Sequence, residues 1–91
     1  MDGFFALKMF LMFYVYILFS KSSNVFYKGF TSDLKNRLES HLAGKSRYTS
    51  TKADWILVYS KEFETKRDAL IEEKRLKKLN RSSIEKLISG V

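Results

Sequence analysis

Glu73, Arg37, His41 and a group of tyrosines between positions 14 and 27 are the side chains whose types and spacing point to chemistry. On a helix of about 100° per residue with Ala69 at zero, Leu70 falls at about 100°, Leu76 at about 340° and Glu73 at about 40°, inside the apolar arc. A carboxylate there is costly to desolvate and needs a cation, which either an arginine or lysine side chain or a metal ion supplies. Arg37 and His41 have the spacing that brings two side chains to one helix face. They flank Leu34, Leu38 and Leu42 and so belong at the rim of a core. There Arg37 is either a solvated cation or a partner for an acid, and His41 either a part-buried packing residue or a working group. Tyr14, Tyr16 and Tyr27 each suit ordinary strand packing with the hydroxyl at the edge. Three hydroxyls facing one helix rim make a polar site. Lys45, Arg47, Tyr48 and Lys52 offer cations for phosphate and a ring that can stack on a base. Lys74, Arg75, Lys77, Lys78 and Arg81 add charge on what reads largely as a solvated helix face.

Composition narrows what such side chains serve. The 91 residues carry 17 lysines and arginines against 10 acids, a formal net charge of +7. That balance suits a polyanionic partner, nucleic acid before an anionic membrane. The absence of cysteine excludes a disulfide scaffold, a thiol nucleophile and a thiolate metal site, and a single histidine excludes a histidine-rich one. Length and hydrophobic content fit one globular domain with one modest core, and a cytoplasmic location is expected. Phe4 to Phe19 is apolar apart from Lys8, yet shorter than the ~20 residues of a membrane-spanning helix. Residues 1–11 are expected to form an N-terminal extension, and 12–91 the domain.

The elements that must hold the site follow from pattern. Phe13 to Phe19 is a run of aromatic and β-branched residues and reads as a central strand, with Tyr14, Tyr16 and Leu18 on one face and Phe13, Val15, Ile17 and Phe19 on the other. Ser20 to Asn24 is a polar turn and Val25 to Phe30 a second strand, with Tyr27 and Gly29 on a shared face. Thr31 or Ser32 can cap a helix running to about Ala43, stopped by Gly44. Trp55 to Tyr59 is a third strand. Thr65 and Asp68 have capping-box spacing ahead of a helix over Lys66 to about Leu79. Ser82 or Ser83 starts a last short helix. The order β-β-α-β-α-α predicts an α+β fold: a three-stranded antiparallel sheet, in order 2-1-3, flanked by about three helices.

Tyr14-Val15-Tyr16, then Tyr27-Lys28-Gly29, then Arg37 on the following helix, resembles the GIY-YIG nuclease superfamily, and more closely its small single-domain bacterial members. The stretches Phe26 to Leu34, Arg37 to His41, Gly44 to Tyr48 and Ala69 to Lys74 extend the likeness over about Phe13 to Ile88. Two positions depart from the pattern. Tyr14 stands where the first tripeptide has glycine, and Lys28 where the second has an apolar residue. The resemblance implies that Tyr16, Tyr27, Arg37, His41 and Glu73 are catalytic, with Asn80 matching a polar residue near the site. It implies a metal-dependent nuclease hydrolysing DNA phosphodiesters, in repair or recombination, with Glu73 holding one Mg²⁺ or Mn²⁺. Arg37 would then neutralise charge on the phosphoryl oxygens. Either Tyr16 or Tyr27 would take a proton from the attacking water, its pKa of ~10 lowered by nearby cations. The competing reading is an inactive nucleic-acid-binding module of the same fold. The domain is expected to act as a monomer or weak homodimer, without a membrane.

Overall fold

The computed structural model describes residues 12–43 and 54–90. Strand β1 (Phe13–Ser20) pairs antiparallel with β2 (Val25–Thr31), and on its other side with β3 (Trp55–Phe63), so the order is β2-β1-β3 as the pattern predicts. Helix α1 (Leu34–Leu42) lies between β2 and β3 in sequence; α2 (Lys66–Lys77) and α3 (Arg81–Ile88) follow β3. Alternation along β1 sends Val15 and Ile17 into one core with Ala69, Leu76 and Ile84, and Tyr16 and Leu18 into another with Trp55, against which Leu34 and Leu38 pack. The central strand is therefore covered on both faces, which explains why it carries no charge.

The boundaries differ from the pattern in instructive ways. Asp33, not Thr31 or Ser32, caps α1, accepting from the Asn36 N–H at 3.2 Å; Thr31 instead holds the Asp33 N–H at 3.0 Å. Asn80, not a serine, caps α3 by accepting from the Ser83 N–H at 2.9 Å. Its side chain thus has a structural role at the start of that helix. Thr65 caps α2 as expected, at 3.1 Å from the Asp68 nitrogen. Strand β3 runs four residues beyond Tyr59, to Phe63, because Ser60, Lys61 and Glu62 stay solvated on an edge strand while still pairing with β1.

Two locks hold the hairpin that carries the tyrosines. Asn24 takes a left-handed φ of 57°, and Arg81 from α3 donates to both its backbone and side-chain oxygens while lying over the Phe26 ring. At the same end, the Asp54 carboxylate accepts from the Ser20 hydroxyl and the Ser22 N–H, both at 2.7 Å. These bonds hold its carboxyl below the usual carboxylate range.

Candidate active site

The site begins with an absent side chain. Tyr16 on β1 stands opposite Gly29 on β2, and a Cβ at Gly29 would lie 2.5 Å from both Cζ and Oη of the Tyr16 ring. Only glycine lets the ring lie flat across the neighbouring strand. From there the Tyr16 hydroxyl reaches α1 and makes a 2.9 Å hydrogen bond with Nε2 of His41. Both side chains are fully buried. Tyr27, also on this face, is half-buried; its ring centroid lies 5.0 Å from that of His41, 6.3 Å from that of Tyr16 and 6.4 Å from that of Trp55.

The Arg37 guanidinium, one turn before His41, interacts first with the Tyr16 phenol and then with that of Tyr27, which hold it above the usual arginine value against burial. Burial first, and the Arg37 charge second, push His41 below its usual value, so its ring is neutral at pH 7. A neutral ring can accept at Nε2. Tyr16 then donates its O–H to His41 Nε2, and no buried side-chain polar atom among the described residues is left without a partner.

For Tyr16 this electrostatic balance runs against the expected lowering by nearby cations. At Tyr16 burial dominates. Its phenol is pushed up to about 12, with the Arg37 hydrogen bond opposing and the charges of Tyr27 and Glu73 reinforcing. His41, with its own value lowered, adds no opposing positive charge. Tyr16 is therefore a neutral, sealed hydroxyl in the free protein.

Glu73 sits on α2 between buried Ala69 and buried Leu76. The apolar arc is narrower than the sequence suggests, because Leu70 is 40% exposed. The Glu73 side chain accordingly keeps 19% of its surface and pairs with Lys77 at 3.2 Å. The needed cation is thus supplied by a lysine one turn on, whose side chain is 57% exposed. A pair at this exposure is worth little, about 0–1 kcal/mol, and yields readily to a stronger cation. Among the described residues no three histidines, cysteines or acids cluster as a metal cage. The donor set at Glu73 is one hard carboxylate open to water, which fits magnesium or manganese held by one protein ligand plus water and phosphate oxygens. The structure thus brings Tyr16, Tyr27, Arg37 and His41 into one network, with Glu73 near enough for its charge to act on Tyr16. Lys45, Arg47, Tyr48 and Lys52 lie outside the described residues, as does the 1–11 extension.

Sequence reasoning placed Gly29 on the right face without finding its task, and missed Trp55. In the structure Ser20 pairs with Val25, so the turn is 21–24 and position 16 meets position 29; the turn read over 20–24 puts Lys28 there instead, which hid the signal for Gly29. Trp55 gave none, because its contact with Tyr27 crosses from β3 to β2 over the central strand.

Comparison with known proteins gives a single answer. Residues 12–87 match the GIY-YIG catalytic domain. A UPF0213 protein of Oceanobacillus iheyensis is 40% identical over 76 residues, covering 82% of this chain and 87% of the relative. One from Staphylococcus haemolyticus is 37% identical over 76 residues, covering 82% and 92%. The solution NMR structure of the UPF0213 protein BH0048 from Bacillus halodurans superposes with a TM-score of 0.57 at 35% identity, covering 86% of this chain and 83% of that one.

Proposed function

The chain belongs to the GIY-YIG catalytic-domain family, and within that family we propose that it is a divalent-metal-dependent nuclease that hydrolyses phosphodiester bonds in DNA. The observation that carries the reading is the buried Tyr16–His41 hydrogen bond with Arg37 and Tyr27 acting on the same phenol and the Glu73 charge felt there. A purely structural core has no need of a buried hydroxyl wired to an imidazole and a guanidinium. Binding alone would not require Gly29 to stay bare for one phenol ring. The +7 charge favours a polyanionic substrate.

Each residue has a task its position allows. Arg37 offers its remaining N–H groups to a phosphoryl oxygen, where a planar fork neutralises charge that grows in the transition state. Tyr27 is half-exposed and can touch a bound water, so it takes the water proton while passing its own phenolic proton on to solvent. Tyr16 is sealed from solvent; it fixes Arg37 from one side and His41 from the other. Glu73, now paired with Lys77, would be the residue to hold Mg²⁺ or Mn²⁺, which would supply Lewis-acid stabilisation of the leaving oxygen. Repair or recombination DNA is the substrate context we favour, and the cytoplasm the location.

A cleavage assay on duplex, single-stranded and branched substrates with Mg²⁺ or Mn²⁺ tests this. The parent should cut only with metal, and Arg37→Ala and Glu73→Gln should each lose at least about 100-fold. Salt-sensitive binding without cutting under any condition would establish the binding-module reading instead.

A further inference from the structure

One hairpin tyrosine takes no part in this network. Tyr14 shares the sheet face of Tyr16, two residues earlier on β1 and so about 7 Å along the strand. Its ring is half-buried and, among the described residues, packs against no other aromatic ring, unlike Tyr16, Tyr27 and Trp55. It lines a groove of about 610 Å³ together with Leu34, Leu38, Ser32, Asp33 and Lys35. The walls are thus one aromatic face and two leucines, with hydroxyl, carboxylate and ammonium groups at the N-terminal turn of α1. The Asp33 carboxylate is committed to Asn36, accepting from its backbone N–H and, at 2.7 Å, from its side-chain amide. Lys35 makes no ion pair among the described residues and is exposed.

We propose that this groove is a nucleobase subsite: a base of the substrate strand lies against the Tyr14 ring between Leu34 and Leu38, with Lys35 on its phosphate. The inference deepens the nuclease reading and rests on it. An aromatic ring with an open face is sequence-tolerant for bases, and a flanking ammonium suits the backbone of the same strand. Tyr14 and Tyr16 share one face of β1, and Arg37 stands on the helix whose Leu34 and Leu38 line the groove, so one strand can reach both. Glu62 lies opposite Tyr14 across the β1–β3 pair, which directs the phosphate to the Lys35 side. A base reaches the groove only when unpaired, so the subsite favours single-stranded or frayed DNA at the point of cutting.

The test compares two probes without divalent metal, so that nothing is cut. One is a short labelled single-stranded oligonucleotide; the other has the same backbone with abasic sites throughout. The full-length chain should bind the base-bearing strand about 10-fold more tightly. Tyr14→Phe should keep that preference. Tyr14→Ala should abolish it, and so should Tyr14→Leu, which fills the groove without a π-face. Equal affinity of the parent for both strands, or a preference that survives in Tyr14→Leu, overturns the subsite. The same preparations are assayed for metal-dependent cleavage. Cleavage without base preference removes the subsite alone, whereas no binding to either probe and no cleavage removes the nuclease reading with it.

Discussion

The residue that most constrains the chemistry is Tyr16, because burial and hydrogen bonding act on it in opposite directions and burial prevails. Its phenol pKa of about 12, raised from an ordinary 10, has a definite sign in stability. Tyrosinate is disfavoured in the fold, so this contribution is complete below about pH 10 and disappears as pH rises toward 12. His41 has the opposite window. Its folded pKa is depressed, so its contribution is complete above the usual 6.5 and disappears as pH falls through the folded value. With one histidine in the chain, its Cε1–H resonance reports on the pair directly. The midpoint should lie below 6.5 in the parent. In Tyr16→Phe it should move up, since the neutral ring loses the hydroxyl that donates to Nε2. A parent midpoint above 6.5 would mean that the ring is not sealed. None of this could be read from the helix wheel, which put His41 at a rim; its complete burial comes from a tyrosine on another element.

At the scale of elements, local pattern carried most of the fold. The charge-free run from Phe13 to Phe19 identified the central strand, and the central strand forced the 2-1-3 order. The caps were harder. Thr31, Ser32 and Asp33 are three capping residues in a row; Thr31 is still paired with Tyr14 as the end of β2, and Asp33 takes the cap. The Gly29 contact belongs to this scale too, because it is made by the pairing of two strands. Gly29→Ala should destabilise by about 1–3 kcal/mol, as overpacking does in a close-packed interior. In a Tyr16→Ala background the penalty should fall below about 1 kcal/mol, since the ring that clashes is gone. Urea unfolding of the four proteins measures the coupling. A penalty of the same size in both backgrounds would place the cost in the β2 backbone, and Gly29 would then have no task at the site.

For the whole molecule, the question the proposed function raises is which surfaces of the matched domain, residues 12–87, would meet a long polyanion. On the outer side of α2 a second groove, of about 640 Å³, is lined by Leu70 and Ile71 with Lys66, Arg67 and Lys74 around them. Arg75 and Lys77 on the same helix are committed to Glu72 and Glu73. Lys66, Arg67 and Lys74 make no such ion pair among the described residues, and they stand on the helix that carries Glu73. If they track the substrate backbone, they act by neutralising phosphates and releasing counterions, which is indifferent to sequence and sensitive to salt. The slope of log K against log salt counts those contacts. The double variant Arg67→Gln, Lys74→Gln should weaken binding of all DNA sequences alike and make the slope shallower by about 2. Tyr14→Leu, which removes a stacking face but no charge, should leave the slope unchanged. An unchanged slope in the double variant would take α2 out of the interface and leave phosphate contact to Arg37, Lys35 and the rest of the basic surface.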